Sequence, residues 1–247
     1  MSNLGDTASP SAPVFELLET QKSLVSESVV REKLDKDECL QRRIIHPGMK
    51  DSDVLTAFRA LRTTLLPKMD SINCVLQVST INRGGGASFC ALNLAVSCTF
   101  AQHGYALLVD CNFDHPSLAE TLNIKVKAGL YDYLNERTQN ISDIIYPTAI
   151  PRLNVIPTGE IQSEDNIEFF TGETMRLFLE DVRNRYKDRI IIVDAPPVLE
   201  SADAKILAEV SDYVLIILPY KGASGSKVDK VIKAIGKDKI IGMMINN

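Results

Sequence analysis

The chain has 247 residues, of which 45% are hydrophobic and 24% are charged, and its formal net charge at pH 7 is −5. This length suits one large α/β domain or two smaller domains. The acidic balance argues against a protein that acts on nucleic acid, because such proteins usually present a basic face. The sequence has no secretory signal and no apolar run of the ~18–20 residues that a membrane-spanning helix needs. We therefore expect a cytoplasmic protein without direct membrane insertion.

The cysteines and histidines form no metal or disulfide pattern. The five cysteines include no CxxC pair, and the three histidines are not spaced as pairs of ligands. Cysteines of cytoplasmic proteins usually stay reduced, and within apolar segments they pack as small hydrophobic side chains. We expect free thiols and no zinc site.

The N-terminal part differs in composition from the rest of the chain. Residues 1–50 are polar and then charge-rich, and we predict a flexible or partly helical leader with a helix at about residues 24–43. Residues 51–247 form the predicted domain. The domain opens with an amphipathic helix, because hydrophobic residues recur there at helical spacing. These residues are Val54, Leu55, Phe58, Leu61 and Leu65.

Short apolar runs then alternate with helical stretches. The apolar runs are residues 74–79, 106–110, 153–157, 189–194, 213–218 and 240–246. The helical stretches are residues 87–102, 171–187, 201–210 and 224–235. The runs are continuously hydrophobic, as parallel strands buried on both faces usually are. The pattern predicts an α/β fold with a doubly wound, mainly parallel sheet and helices on both faces.

A glycine triplet follows the first apolar run. Backbone N–H groups of such a loop converge on an anion at the start of the next helix. In the P-loop pattern G-x-x-x-x-G-K-[ST], Gly86 and Ser88 match the second glycine and the hydroxyl, but Ala87 stands where the phosphate-binding lysine belongs. Ser88 fits a helix cap and a Mg²⁺ ligand equally well. Phe89 takes the place of the third glycine of a dinucleotide-binding loop, which excludes that alternative.

Five segments carry further motifs in a fixed order. They are AFRALRTTL (57–65), STINRGGGAS (79–88), LLVDCNFDHPSL (107–118), VIPTGE (155–160) and IIIVDAPPVLESADAKIL (190–207). Together they resemble the bacterial tyrosine kinases (BY-kinases) of capsule and exopolysaccharide export, which are relatives of septum-site-determining and partition ATPases. The resemblance covers residues 52–247 and implies a P-loop NTPase-like fold.

The resemblance also implies roles for particular residues. Asp110, Asn112 and Asp194 take the catalytic positions, and Mg²⁺ would be held by Ser88, Asp110 and Asp194. The nucleotide would contact the glycine loop and the end of the last strand. These contact positions are Arg83, Gly84, Gly85, Gly86, Ala87, Ser88 and Asn246. The two acids also fit a purely structural role as caps or ion-pair partners.

Arg59 and Arg62 match the two arginines of the family's oligomerisation helix, although Thr56 replaces its glutamate. On an amphipathic helix these arginines also fit a solvated face. The family phosphorylates a C-terminal tyrosine cluster, whereas this sequence ends in MMINN and its seven tyrosines are scattered. We therefore expect no substrate tail.

Three departures from the family pattern bear on the chemistry. Ala87 removes the lysine, Asn112 replaces an aspartate, and Asp114 replaces an arginine. Phosphoryl transfer depends on positioning and on neutralising negative charge. Losing one such preorganised group costs about 3 kcal/mol, or about a hundredfold in rate. We expect ATP, ADP and Mg²⁺ to bind weakly or not at all, and no efficient enzyme activity.

Three functions fit this sequence. The first is a catalytically impaired BY-kinase-like regulator or scaffold in exopolysaccharide biosynthesis and export. The resemblance gives it a membrane-anchored polysaccharide co-polymerase as partner, with a homo-oligomer or an active paralogue as further partners, peripheral to the inner membrane. The alternative is an active protein-tyrosine autokinase or weak ATPase in which Arg83 replaces the missing lysine. The third is a partition or positioning ATPase, which the acidic charge and the missing lysine disfavour.

Overall fold

All six apolar runs predicted as strands are strands in the computed structural model of the chain, which describes residues 35–49, 52–102, 104–161 and 171–246. The strands are β1 Val75–Thr80, β2 Tyr105–Asp110, β3 Tyr146–Pro147, β4 Leu153–Ile156, β5 Arg189–Asp194, β6 Tyr213–Pro219 and β7 Ile240–Asn246. The sequence analysis missed β3, because a two-residue strand that contains proline has no apolar run.

The strands form one sheet in the order β3-β4-β2-β5-β1-β6-β7. Every neighbouring pair is parallel except β3 and β4, which are antiparallel. Parallel neighbours must be joined by crossovers, which helices supply here. The predicted doubly wound, mainly parallel sheet is confirmed.

Helices alternate with the strands along the chain. Their bounds are α1 Lys36–Gln41, α2 Asp53–Leu65, α3 Ala87–Thr99, α4 Leu118–Thr121, α5 Leu130–Leu134, α6 Gly172–Arg185, α7 Asp203–Val210 and α8 Gly225–Ile235. In the part of the chain that the structure describes, none of the helices has the length and apolar character needed to cross a membrane.

The two faces of the sheet are covered by different helices. Along β6, Leu215 and Ile217 pack with α2 and α3, whereas Val214 and Ile216 pack with α7 and α8. This division follows from the two-residue period of a strand, which sends successive side chains to opposite faces. Both sets are buried, so β6 had to be hydrophobic throughout. The same geometry explains why the runs in the sequence do not alternate with polar residues.

Residues 35–49, which the sequence analysis assigned to the leader, pack on the domain. Ile44 and Ile45 are almost fully buried in the same core as α2 and α3. The Asn93 side chain of α3 accepts a hydrogen bond from Ile45 N at 2.8 Å and donates one to the Arg43 carbonyl at 3.0 Å. Contacts with the core of the domain therefore begin N-terminal to residue 50. Residues 1–34, which include much of the helix predicted at residues 24–43, lie outside the described residues.

Candidate functional site

Two aspartates end neighbouring strands of the sheet. Asp110 is the last residue of β2 and Asp194 is the last residue of β5, and the two are paired in register. β1 lies on the other side of β5, so the glycine loop after β1 begins at the same edge. Because the carboxyl ends of parallel strands share one edge, the fold brings together segments that are far apart in the sequence.

The glycine loop has a shape that other residues would not permit. Gly84 and Gly86 have φ values of +79° and +82°, in the left-handed region that favours glycine. A Cβ atom on Gly85 would overlap the Thr80 side chain, and one on Gly86 would overlap the Asn246 amide. The loop then leads directly into α3, whose N-terminal N–H groups favour an anion. This is the backbone cradle that a phosphate group would enter.

Asn246 joins the loop from the far end of the chain. It is the last residue of β7, and its Nδ2 donates a hydrogen bond to the Gly85 carbonyl at 3.1 Å. The predicted nucleotide-contact residues of the loop and of the last strand are thus adjacent. This contact also fixes one carbonyl of the loop, which limits the conformations that the glycines would otherwise allow.

The start of α3 carries no cation. Ala87 is its first residue and is 8% exposed, in the place of the P-loop lysine. The N-cap is Gly86, and no side chain caps the helix, so Ser88 has no capping role in this structure. The Ser88 hydroxyl lies near Asp194 and favours its ionised form, although no well-formed hydrogen bond joins the two groups.

Asp110 is buried but well supported by hydrogen bonds. Its carboxylate accepts hydrogen bonds from the backbone N–H groups of Asn112, Ser117 and Leu118 at 3.2–3.3 Å. Burial nevertheless raises the pKa of Asp110 from 3.8 to about 6, because the hydrogen bonds only partly offset the loss of water. The side chain of Thr158, in the loop after β4, donates to the Asp110 carbonyl at 3.1 Å.

Asp194 has no such support. It is fully buried, and neither carboxylate oxygen accepts a hydrogen bond from a described residue. Burial raises the pKa of Asp194 well above its ordinary value, and the neighbouring charge of Asp110 raises it further. Burying a carboxylate without a hydrogen-bond partner costs free energy, so Asp194 is a candidate to bind a ligand or cation from outside the chain.

The donor set fits Mg²⁺ better than a transition metal. Two carboxylates and a hydroxyl, from Asp110, Asp194 and Ser88, offer only hard oxygen atoms, which Mg²⁺ prefers. The described residues contain no group of three or more His, Cys, Asp or Glu side chains that would hold a metal by themselves. Mg²⁺ commonly binds through one or two carboxylates and completes its shell with water and phosphate oxygens. These residues therefore suit a metal that arrives with a phosphate ligand.

Arg83, which would replace the missing lysine in the alternative function, is paired with acids. Its guanidinium nitrogens lie 3.9 Å from Asp114 Oδ2 and 3.9 Å from Glu200 Oε2. The arginine side chain is 60% exposed, so each ion pair is weak. The pairing still places two negative charges, those of Asp114 and Glu200, beside the positive charge of Arg83.

Sequence reasoning missed Glu200. Its carboxylate accepts hydrogen bonds from Asn82 Nδ2 at 3.0 Å and from Arg83 N at 3.2 Å. Glu200 lies within the segment VDAPPVLESADA, in which only Asp194 was given a role from the sequence. An additional acid six residues after Asp194 was the available signal. Its contact with the glycine loop depends on how the segment after β5 lies beside that loop, which cannot be predicted from the sequence.

Residues 76–241 match the model of the AAA_31 family, described as an AAA domain. The chain belongs to this family. Because the matched segment runs from β1 into β7, it includes the glycine loop and both strand-end aspartates. This family match agrees with the P-loop NTPase-like fold that was expected from the sequence.

Curated relatives of this AAA domain are bacterial tyrosine-protein kinases. The chain is 25% identical over 210 residues to the tyrosine-protein kinase wzc of Salmonella typhimurium, covering 84% of this chain and 28% of that protein. It is 26% identical over 193 residues to the tyrosine-protein kinase CpsD of Streptococcus agalactiae, covering 76% of this chain and 80% of CpsD. The chain thus spans little more than a quarter of the first relative and most of the second. The resemblance inferred from the motifs is confirmed.

Solved structures show the same fold. The kinase domain of Escherichia coli tyrosine kinase ETK has a TM-score of 0.74 at 20% identity, with 94% of this chain and 86% of that chain covered. The kinase domain of VpsO has a TM-score of 0.66 at 26% identity, covering 78% and 95% of the two chains. The Pyrococcus furiosus cell division ATPase MinD has a TM-score of 0.57 at 18% identity, covering 70% and 69%. Like ETK, MinD is less than 25% identical to this chain, so these two likenesses concern the fold.

The two arginines of α2 differ in their surroundings within this AAA domain. Arg62 Nη1 donates a hydrogen bond to the Ser97 carbonyl of α3 at 2.5 Å, so it joins two helices of one chain. Arg59 is exposed to solvent. Of the two, Arg59 is therefore the side chain that is accessible to a second subunit, and its oligomerisation role stays a prediction.

Proposed function

We propose that this chain is a catalytically impaired relative of bacterial tyrosine kinases that acts as a regulator or scaffold in exopolysaccharide biosynthesis and export. One observation carries the proposal. Ala87 begins α3 where a P-loop lysine would reach the phosphates, and the neighbouring Arg83 is paired with Asp114 and Glu200. Among the described residues, the site keeps the backbone cradle and the acids of a kinase, while the arginine of its glycine loop is already paired with two acids.

The charges at the site support this reading. Phosphoryl transfer develops negative charge on oxygens that the protein must neutralise with cations and N–H donors. Here the Arg83 guanidinium is paired with the carboxylates of Asp114 and Glu200, and Asp110 and Asp194 add two acidic side chains at the neighbouring strand ends. Removing one preorganised donor slows such reactions by about a hundredfold or more. We therefore infer that turnover of ATP is far below that of an ordinary kinase.

Metal and nucleotide binding are a separate question from turnover. We infer that Ser88, Asp110 and Asp194 retain the ability to hold Mg²⁺, because neither oxygen of the buried Asp194 side chain accepts a hydrogen bond from a described residue and a cation could take the place of its proton. When bound, Mg²⁺ would supply positive charge to a phosphate in the loop. The protein's own residues would orient the ligand through the N–H groups at Gly84–Gly86. Weak binding of ADP or ATP without efficient hydrolysis follows from this combination.

The proposed partners follow from the resemblance to BY-kinases. They are a membrane-anchored polysaccharide co-polymerase, a second copy of this chain or an active paralogue. The exposed Arg59 of α2 offers a cation to a neighbouring subunit. In this role the protein is cytoplasmic and reaches the inner membrane only through its partner.

The decisive experiment compares the purified protein with Ala87→Lys in millimolar ATP and Mg²⁺. We expect no tyrosine phosphorylation or ATP turnover above buffer for the wild-type protein. Restoring the lysine should strengthen ADP binding by about tenfold, because it adds one charge-assisted contact to a phosphate. Ala87→Met is the matched control, since methionine has a similar length without the charge. Tyrosine phosphorylation by the wild-type protein at about 1–100 s⁻¹, the range of ordinary kinases, would refute the proposal.

A second candidate is a weak ATPase or autokinase that uses Arg83 as its cation. It is favoured by the exposure of Arg83 and by the length of its two ion pairs, since weak exposed pairs are easily exchanged for a phosphate contact. Residual turnover that Arg83→Ala abolishes would support this function. Residual turnover that survives Arg83→Ala, or none at all, would eliminate it.

A further inference from the structure

The loop after β5 runs beside the glycine loop and is held there by backbone hydrogen bonds. Val198 N donates to the Thr80 carbonyl at 2.9 Å, and Leu199 N donates to the Ile81 carbonyl at 3.2 Å. These bonds lie beyond the end of β5 and hold this segment beside the end of β1 and the residue that follows it. Glu200 is the next residue, so backbone hydrogen bonds of its neighbours fix its position near the start of the glycine loop.

The Glu200 carboxylate binds the loop with both oxygens. Oε1 accepts hydrogen bonds from Asn82 Nδ2 at 3.0 Å and from the backbone N–H of Arg83 at 3.2 Å. Oε2 lies 3.9 Å from the Arg83 guanidinium. A backbone N–H, an amide and a guanidinium are the groups that loops of this kind offer to a phosphate. One carboxylate of the chain engages all three.

Glu200 carries its negative charge at neutral pH. The hydrogen bond from Asn82 lowers the pKa of the Glu200 carboxyl most, and the Arg83 N–H and the charges of Arg83 and Lys227 lower it further. Asp114 Oδ2 lies 3.9 Å from Nη2 of the same guanidinium. An incoming phosphate must therefore displace one carboxylate and approach a second.

We propose that Glu200 is an internal anion that occupies the entrance of the glycine loop and weakens the binding of phosphate-bearing ligands there. It acts as a specificity-determining residue, because it selects against anions without contacting them in the bound state. The class of ligand is a nucleoside diphosphate or triphosphate. The inference rests on the proposed function only in taking the loop as a phosphate-binding loop.

Glu200→Gln tests the proposal, because glutamine keeps the size and one acceptor oxygen but removes the charge. Binding of ADP with Mg²⁺, and of inorganic pyrophosphate, is measured by titration calorimetry for the wild-type protein and the variant. We expect the dissociation constant to fall by about tenfold in Glu200→Gln, the scale of one charge-assisted hydrogen bond that no longer has to be broken. Glu209→Gln, an exposed acid on α7, makes the same change in net charge and should leave the dissociation constant unaltered.

Three results would overturn the proposal. One is an unchanged dissociation constant in Glu200→Gln, including no measurable binding by either protein up to millimolar ligand. Another is an equal gain in Glu209→Gln, which would reduce the effect to overall charge. The third is a gain in Glu200→Gln that is absent in Glu200→Ala, provided that thermal unfolding shows both variants to be folded.

These outcomes are distinct from a failure of the proposed function. Ordinary kinase activity in the wild-type protein would refute catalytic impairment but would leave the comparison of Glu200→Gln with wild type intact. An unchanged dissociation constant in Glu200→Gln would refute the proposed role of Glu200 but would not affect the proposal that the kinase is catalytically impaired.

Discussion

Asp194→Asn should stabilise the protein, although the residue lies at the centre of the site. The carboxylate of Asp194 is fully buried, has no hydrogen-bond partner among the described residues and is paired in register with Asp110. Burial and the charge of Asp110 raise its pKa, so the folded protein keeps a proton that the unfolded chain has already lost. Stability due to this group is therefore greatest at acid pH and falls as the pH rises above the unfolded pKa of about 3.8.

The magnitude follows from proton linkage. One proton held by the folded state but not by the unfolded state costs about 1.4 kcal/mol per pH unit. Because asparagine does not titrate, the variant avoids this cost, and its advantage should grow to about 2 kcal/mol by about pH 5.5. For a domain of this size, about 2 kcal/mol corresponds to an increase in Tm of about 4–8 °C.

Urea unfolding measured in EDTA from about pH 4 to about pH 7 would check this expectation. The informative quantity is the difference in unfolding free energy between Asp194→Asn and the wild-type protein at each pH. Asp229→Asn, on the exposed surface of α8, is the control and should show a small difference throughout. A variant that is less stable than wild type at neutral pH, or a difference that does not change with pH, would refute the reasoning.

Three further predictions concern packing around the site. Gly86→Ala should lower the unfolding free energy by about 1–2 kcal/mol, because φ is +82° and a Cβ would overlap the Asn246 amide. Adding Asn246→Ala should recover part of this loss, and a double-mutant cycle in urea measures the coupling. Asn93→Ala should lower the unfolding free energy by about 2–3 kcal/mol in the same assay, since it leaves buried backbone groups of the 35–49 segment without partners. Arg62→Ala should cost about 1 kcal/mol through the lost bond to α3, whereas Arg59→Ala, on the exposed surface, should change the unfolding free energy by less than about 0.5 kcal/mol.

Much of the fold could be predicted from the sequence because buried parallel strands leave a strong signal. β6 must be hydrophobic on both faces, and a short run of such residues between helical stretches is typical of a strand in a parallel sheet. β3 left no comparable signal, because it is two residues long and contains a proline. The packing of residues 35–49 on the domain was not predicted, because the polar residues around α1 hide the buried Ile44 and Ile45. The average composition of residues 1–50 is polar, so it does not reveal that Ile44 and Ile45 are buried in the core.

The candidate site was predictable where it depends on strand ends and unpredictable where it depends on neighbouring loops. Asp110 and Asp194 each follow an apolar run, and a parallel sheet brings such ends to one edge. Arg83 was a replacement cation only in the alternative function, and the structure pairs it with Asp114 and Glu200. The approach of Glu200 depends on backbone hydrogen bonds between the segment after β5 and the end of β1, which no local pattern in the sequence records.

The sequence by itself determined the doubly wound sheet, the glycine loop and the absence of the P-loop lysine, because each of these follows from residue type at a given place in the chain. Only the tertiary structure decided which groups are paired. It left the buried Asp194 without a partner among the described residues and gave Arg83 two, since pairing depends on distances between segments that are remote in sequence. The electrostatic environment of a ligand in the loop depends on which charged side chains the fold brings together.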